Sequence, residues 1–317
     1  MTDKLIVSTS PHLHKKESVS WIMWMVFIAL LPSGLAGIYY FGLRALWLIL
    51  ISILTAVVTE CVCLLLRRKK ITLLDGSAVV TGLLLAYNLS PAVPFWVPVV
   101  GSFFAIAIAK QAFGGLGRNI FNPALCGRVF LLLSWPKLMT GFIKPFSNVD
   151  AVTSATPLVL FKESAANVYN IGLTYWDLFL GRRSGCLGEV AIFALIIGAA
   201  FLLVFKIISW HIPLTYAVTL GLFSWLFSAS GFARGDVLFS ILSGGVILGA
   251  FFMATDYVTC PLTRKGQLIF GASCGLLTFL IRRWGGYPEG VSFSILIMNA
   301  FVPLIDRFTR PRVYGKK

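Results

Sequence analysis

One segment of the 317-residue chain puts hydroxyls, a carboxylate and a helix-start signal side by side: Asp150-Ala151-Val152-Thr153-Ser154-Ala155-Thr156-Pro157-Leu158. Thr before Pro reads as an N-cap followed by the first helical residue, because Pro lacks the N–H that this position leaves unpaired anyway. The stretch 157–167 is then expected to form a short helix. Its unpaired first-turn N–H groups favour an anion such as a phosphate beside Thr156. On these residues alone, a plain capped loop helix is the other reading.

Further side chains stand where apolar sequence makes them conspicuous. Glu60 lies inside a long apolar run, and a carboxylate in hydrocarbon costs roughly 2.5–3.5 kcal/mol on insertion scales, which makes it an ion-path candidate. The alternative is a carboxylate near the interface, paired to a basic side chain, with Arg67–Lys70 two helical turns away. Asp256 stands at a helix end, where it ends an ion path, meets a partner or caps the turn before Pro261. Arg128, also in an apolar run, is left open between a phosphate, a carboxylate and a carbonyl. Asp75 before Gly76 reads as a helix cap. Asn119 and Asn122 follow the glycine-rich turn Gly114-Gly115-Leu116-Gly117, which lacks the Lys-Ser/Thr ending of a phosphate loop. No strand–GxGxxG–helix unit offers a nicotinamide site. Cys61 and Cys63 read as packing surface. Cys126, Cys260 and Cys274 are too scattered for an iron–sulfur centre within the chain.

The elements that carry these residues follow from composition. Hydrophobic residues make up 58% and charged residues 12%. A soluble domain has about twice that charge, so a soluble enzyme, a disordered chain and a nucleic-acid binder are poor readings. About ten apolar stretches of near-membrane length are expected: 21–40, 44–66, 77–90, 94–110, 122–135, 187–208, 212–230, 236–254, 267–281 and 290–306. The polar start, 1–20, is not a signal peptide. The net charge of +15 is then a topology signal. With the N-terminus inside, most Lys and Arg fall on inner segments, Arg67–Lys70 and the basic tail 307–317 above all. This puts both termini in the cytoplasm and the loop 136–186, with Thr156, on the outer face as an exposed segment. Pro91 to Gly101 recurs as Pro261 to Gly271, and Phe113-Gly114-Gly115 as Trp284-Gly285-Gly286. The expected fold is an all-α polytopic membrane protein of two inverted five-helix repeats, 21–135 and 187–306. Trp21, Trp24, Tyr39, Tyr40, Phe95, Trp96 and Trp284 read as an interfacial belt.

Three motifs then carry a resemblance. Asp150-x-x-Thr153-Ser154-Ala155-Thr156 resembles the flavinylation motif, whose last hydroxyl receives FMN through a phosphoester. Gly114-Gly115-Leu116-Gly117-Arg118-Asn119-Ile120-Phe121-Asn122-Pro123-Ala124 and Met253-Ala254-Thr255-Asp256-Tyr257-Val258-Thr259-Cys260-Pro261-Leu262-Thr263 resemble the same family. It joins the D subunit of the Rnf electron-transport complex to the B subunit of the sodium-translocating NADH:quinone reductase. The short polar start favours the Rnf side. Ser154 and Tyr257 depart from the commoner Gly and Pro of these motifs without removing the acceptor hydroxyl.

The resemblance implies covalent FMN on Thr156, delivered from FAD by a flavin transferase, with Asp150 aiding recognition or positioning. It also implies a second, non-covalent flavin, riboflavin, assigned here to Asn119 and Asn122, whose amides offer both donor and acceptor to a ring edge. Helix capping after the Gly turn is the alternative for these two. The family's fold is related to that of urea transporters. The implied function is electron relay between ferredoxin and NAD coupled to sodium or proton transport in a bacterial or archaeal inner membrane, alongside subunits A, B, C, E and G. A quinone-reductase B subunit and a non-redox inverted-repeat transporter are the competing readings.

Overall fold

The computed structural model describes residues 18–69, 73–146, 156–164, 174–228, 231–287 and 289–310. Nearly all of it is helix. The two longest apolar stretches give α1 (Val19–Phe41) and α2 (Leu43–Leu66), and the last gives α14 (Val291–Thr309). These three are long and apolar enough to cross a membrane by length and composition. Among the described residues the only β-strands form a hairpin pairing Phe227–Ser228 with Gly231–Phe232.

Further helices fill the body. They are α3 (Ser77–Tyr87), α4 (Trp96–Phe103), α5 (Pro123–Ser134), α6 (Pro136–Thr140), α7 (Pro157–Ser164), α8 (Tyr175–Leu180), α9 (Ile192–Val204) and α10 (His211–Leu226). Then come α11 (Val237–Leu242), α12 (Val246–Leu248) and α13 (Arg264–Trp284). Two run on into π-helix: α4 through Phe104–Gln111 and α12 through Gly249–Met253. Such wide turns leave carbonyls without their usual partners and recur at functional sites.

The sequence expects one span over 236–254, and the structure breaks it. Asp236 caps α11 by accepting from Phe239 N at 2.9 Å. The chain then turns at Gly244 and Gly245, both at positive φ (64° and 68°), before α12 begins. The stretch 267–281 is longer than expected, because Thr263 caps α13 from outside the apolar core of the helix. Helices α6 and α8 add to the single helix expected within the loop 136–186; Thr174 and Asp177 close a capping box on α8.

Lipid tails provide no hydrophobic drive between helices, so close approach at small residues does the packing. A Cβ on Gly82 of α3 would lie 2.8 Å from Ile53 Cα on α2, and one on Gly275 of α13 2.7 Å from Tyr216 O on α10. Helix α1 runs antiparallel to α9: Gly198 abuts Ala29, and Ser33 Oγ donates to Gly188 O at 2.6 Å. The start of α1, the end of α2, the turn after Gln111, the α9–α10 connection and the start of α13 therefore share one end of the bundle. The α2 end meets the glycine turn through Lys69 Nζ, which donates to Gly114 O at 3.3 Å. Helices α6, α7 and α8 and the Gly244–Gly245 turn lie at the opposite end.

Candidate functional site

Thr156 has the predicted role. Its Oγ1 accepts from Val159 N at 3.4 Å, its carbonyl from Leu160 N at 3.2 Å, and α7 starts at Pro157. Asp150, Ser154 and the last part of the expected helix 157–167 lie outside the described residues. One expectation fails: Thr156 is only 4% exposed, not on an open loop. The cause is its neighbour. Leu158, also buried, packs into the space left by the missing Cβ of Gly244. Arg282 of α13 holds that turn, donating to Ser240 O at 2.6 Å and Ser243 O at 2.9 Å.

Near the other end lies a cavity lined by Lys110, Asn119, Asn122, Thr255 and Asp256, with Leu84, Leu202, Phe251 and Phe252 as apolar walls. Both π-helical segments reach it, one bringing Lys110 and the other Phe251 and Phe252. The two asparagines divide the alternatives left open by the sequence. Asn122 is a cap: its Oδ1 accepts from Ala124 N at 3.1 Å, and its Nδ2 donates to Met253 O at 3.2 Å, tying α5 to the second π-helix. Asn119 donates through Nδ2 to Phe121 O at 3.1 Å, but its buried Oδ1 has no partner among the described residues. An orphan acceptor beside a cavity is what a ligand's N–H would satisfy. Asp256 caps the turn before Pro261, accepting from Thr259 Oγ1 at 3.1 Å, and lines the same cavity.

Glu60 is paired, as the second of its two readings had it, but not to Arg67–Lys70. Lys110 Nζ lies 2.7 Å from Glu60 Oε1, which also accepts from Gln111 Nε2 at 2.8 Å. Arg67 turns instead to the carbonyl of Gln111. Lys110 donates to Ser77 Oγ at 2.7 Å, and Ser77 donates on to Asp75 Oδ1 at 2.7 Å. Asp75 also accepts from Ser77 N, so it caps α3 from one residue outside the helix start. Glu60 Oε2 and Gln111 Oε1 have no partner among the described residues, and both residues line a second cleft of about 980 Å³ with Asp75, Lys69 and Gly115.

Arg128 selects the carboxylate among its three possible partners. It pairs with Glu289 and donates to Asn88 Oδ1, with Cys186 Sγ 3.8 Å away. Glu189 accepts from Cys186 N at 3.1 Å, and its carbonyl takes Arg183 Nη2 at 3.1 Å. Ligand atoms of Cys186, Glu189 and Glu289 lie within 4.8 Å of one another, a spacing that suits a metal. Arg128 neutralises Glu289, whereas Arg183 reaches only the Glu189 carbonyl and Glu189 Oε2 has no partner among the described residues. Sequence reasoning missed Lys110, Glu189 and Glu289. The rule that singled out Glu60, an acid within an apolar stretch, applies equally to Glu189 inside 187–208.

Comparison with known proteins follows the same lines. The profile of the NQR2, RnfD, RnfE family matches residues 6–315. The chain is 50% identical over 313 residues to the D subunit of the Na(+)-translocating ferredoxin:NAD(+) oxidoreductase complex of Acetobacterium woodii, covering 98% of this chain and 95% of that protein. It is 48% identical over 318 residues to the D subunit of the proton-translocating ferredoxin:NAD(+) oxidoreductase complex of Clostridium ljungdahlii, covering 98% and 96%. With the D subunit of the ion-translocating oxidoreductase complex of Salmonella paratyphi A it shares 39% over 348 residues, covering 98% of each. A membrane-type helical bundle, the three motifs in order and full-length similarity agree: the chain belongs to the NQR2, RnfD, RnfE family.

Proposed function

We propose that this chain is the flavin-carrying membrane subunit of an Rnf-type complex, its D subunit. With subunits A, B, C, E and G it relays electrons between ferredoxin and NAD and couples that flow to sodium or proton transport. Full-length similarity to relatives named as the D subunit carries this reading and favours it over a quinone-reductase B subunit.

Thr156 is the residue that would hold FMN. Its hydroxyl oxygen displaces AMP from FAD in the transferase reaction, forming the phosphoester and giving up its proton. Two features support it: the hydroxyl sits at a helix N-cap, and a phosphate there meets the positive end of the α7 dipole. Because the unmodified Thr156 is buried, the corner 156–158 must lift for the transferase to reach it. Once bound, a flavin supplies reversible electron transfer, while the chain sets its position and electrostatics.

The cavity at Asn119 suits a second flavin, riboflavin. Its walls are aromatic and aliphatic, and Asn119 Oδ1 offers an unused acceptor. Asn122 shapes this site by fixing the start of α5. Glu60, with one free carboxylate oxygen above the second cleft, and Asp256 are the ion-path candidates. The chain is read as two inverted five-helix repeats of about ten spans. Both termini and the Lys69 end face the cytoplasm, and the Thr156 end faces out, in keeping with the bias of Lys and Arg toward inner segments along the sequence.

Flavin analysis of the purified complex tests the two-flavin reading. After acid precipitation, FMN should stay with the protein and riboflavin should enter the supernatant. Asn119→Ala should deplete only the soluble flavin. Retention of all flavin by that variant would remove the Asn119 site.

A further inference from the structure

Helices α10 and α13 lie side by side in parallel. Along their contact Gly271 faces Ile212, Gly275 faces Tyr216 and Thr219, and the Tyr216 hydroxyl meets Thr278 Oγ1 at 2.6 Å. Gly271 and Gly275 form a G-x-x-x-G pair that lets the backbones close up. Two positive helix ends are therefore held together, an arrangement that repels itself unless something negative sits beside it.

The local sequence makes this worse. The first turns of α10 and α13 contain no acidic residue, and α10 has no side-chain cap. Helix α13 opens instead with Arg264 and Lys265, cations at the end where the dipole disfavours them. Between the two helix starts and the α9–α10 connection is a cleft of about 960 Å³. Its polar lining includes Lys206, Ser209, His211, Tyr257, Arg264 and Gln267, with no carboxylate. Ser209 Oγ donates to Gln267 Oε1 at 2.8 Å and ties its two sides. Lys206 and Arg264 have no carboxylate within ion-pair distance among the described residues. The Nδ1 of His211 is buried without a partner among them. Asp306 is engaged by Leu262 N at 3.1 Å, and Asp256 lines the neighbouring cavity. Around the rim Val204, Phe205, Trp210 and Leu262 expose large apolar side chains.

We infer that this cleft binds the phosphate of an anionic phospholipid. The headgroup phosphate sits between Lys206, Arg264 and the two helix N-termini, and its acyl chains lie along the apolar rim. Basic pockets between membrane helices suit this chemistry. A free phosphate would share the cationic lining but make no use of the exposed apolar rim.

The test uses the delipidated full-length chain in neutral detergent, with phosphatidylglycerol, phosphatidylcholine or inorganic phosphate added, and reads bound lipid by native mass spectrometry. The wild type should retain phosphatidylglycerol in preference to phosphatidylcholine, and inorganic phosphate should not displace it. Lys206→Gln and Arg264→Gln should each weaken retention roughly fivefold, and together about 30-fold. Lys265→Gln, one residue along and outside the cleft, should leave retention unchanged. The single variants keep the test valid if the double variant does not fold. Equal retention of the two lipids would overturn the proposal, as would folded single variants that hold phosphatidylglycerol like the wild type. Displacement by inorganic phosphate would reassign the cleft to a free anion.

Discussion

Arg128 is buried and Glu289 largely so, and neither has another partner of opposite charge at ion-pair distance among the described residues. Removing one partner of such a pair strands the other, which costs about 3–5 kcal/mol, whereas removing both together is far milder. Arg128→Met and Glu289→Gln should therefore each lower the thermal unfolding midpoint markedly, and the double variant should recover much of the loss. Additive losses would show that the two residues act independently. At this scale the sequence was legible where a single residue type was out of place. Glu60, Arg128 and Thr156 stand out on that ground. The partners did not, because Lys110 and Glu289 sit at the edges of apolar stretches, where charge is ordinary. Lys110 looks like an inner flank until the π-helix carries it inward to 1% exposure. Nor can sequence spacing reveal that Asn122 is consumed by capping while Asn119 keeps a free oxygen.

Among the elements, α7 is where the proposed flavin attachment meets the fold. Its N-cap hydroxyl is the proposed acceptor, yet Leu158 clamps the corner against Gly244. Leu158→Ala should loosen that clamp and speed flavin attachment, read as the time course of fluorescence gained on incubation with transferase and FAD. An unchanged or slower rate would mean that docking of α7 does not limit access. Apolar runs made most helices legible, with ends set by caps at Ser18, Asn122 and Thr263. The break at Gly244–Gly245 was not, because two glycines in an apolar run look the same whether they pack against a helix or turn the chain. The π-helical segments leave no periodic signature either, since the wider turn is imposed by packing.

Over the whole molecule, the net charge is +15, and the proposed topology puts most Lys and Arg of the sequence on inner segments. Inner-facing basic residues predict the topology. In a cysteine-free background, Trp176→Cys should react with an impermeant thiol reagent on intact cells, and Arg68→Cys only after lysis; the reverse pattern would invert the chain. Relatives of 48% and 50% identity carry proton and sodium in their names, so overall similarity does not decide the ion. The central claim, a flavin tethered at Thr156, has a direct measurement: in-gel fluorescence of the denatured chain after co-expression with the transferase. The wild-type band should fluoresce and the Thr156→Ala band should be dark. A fluorescent Thr156→Ala band would contradict the assignment.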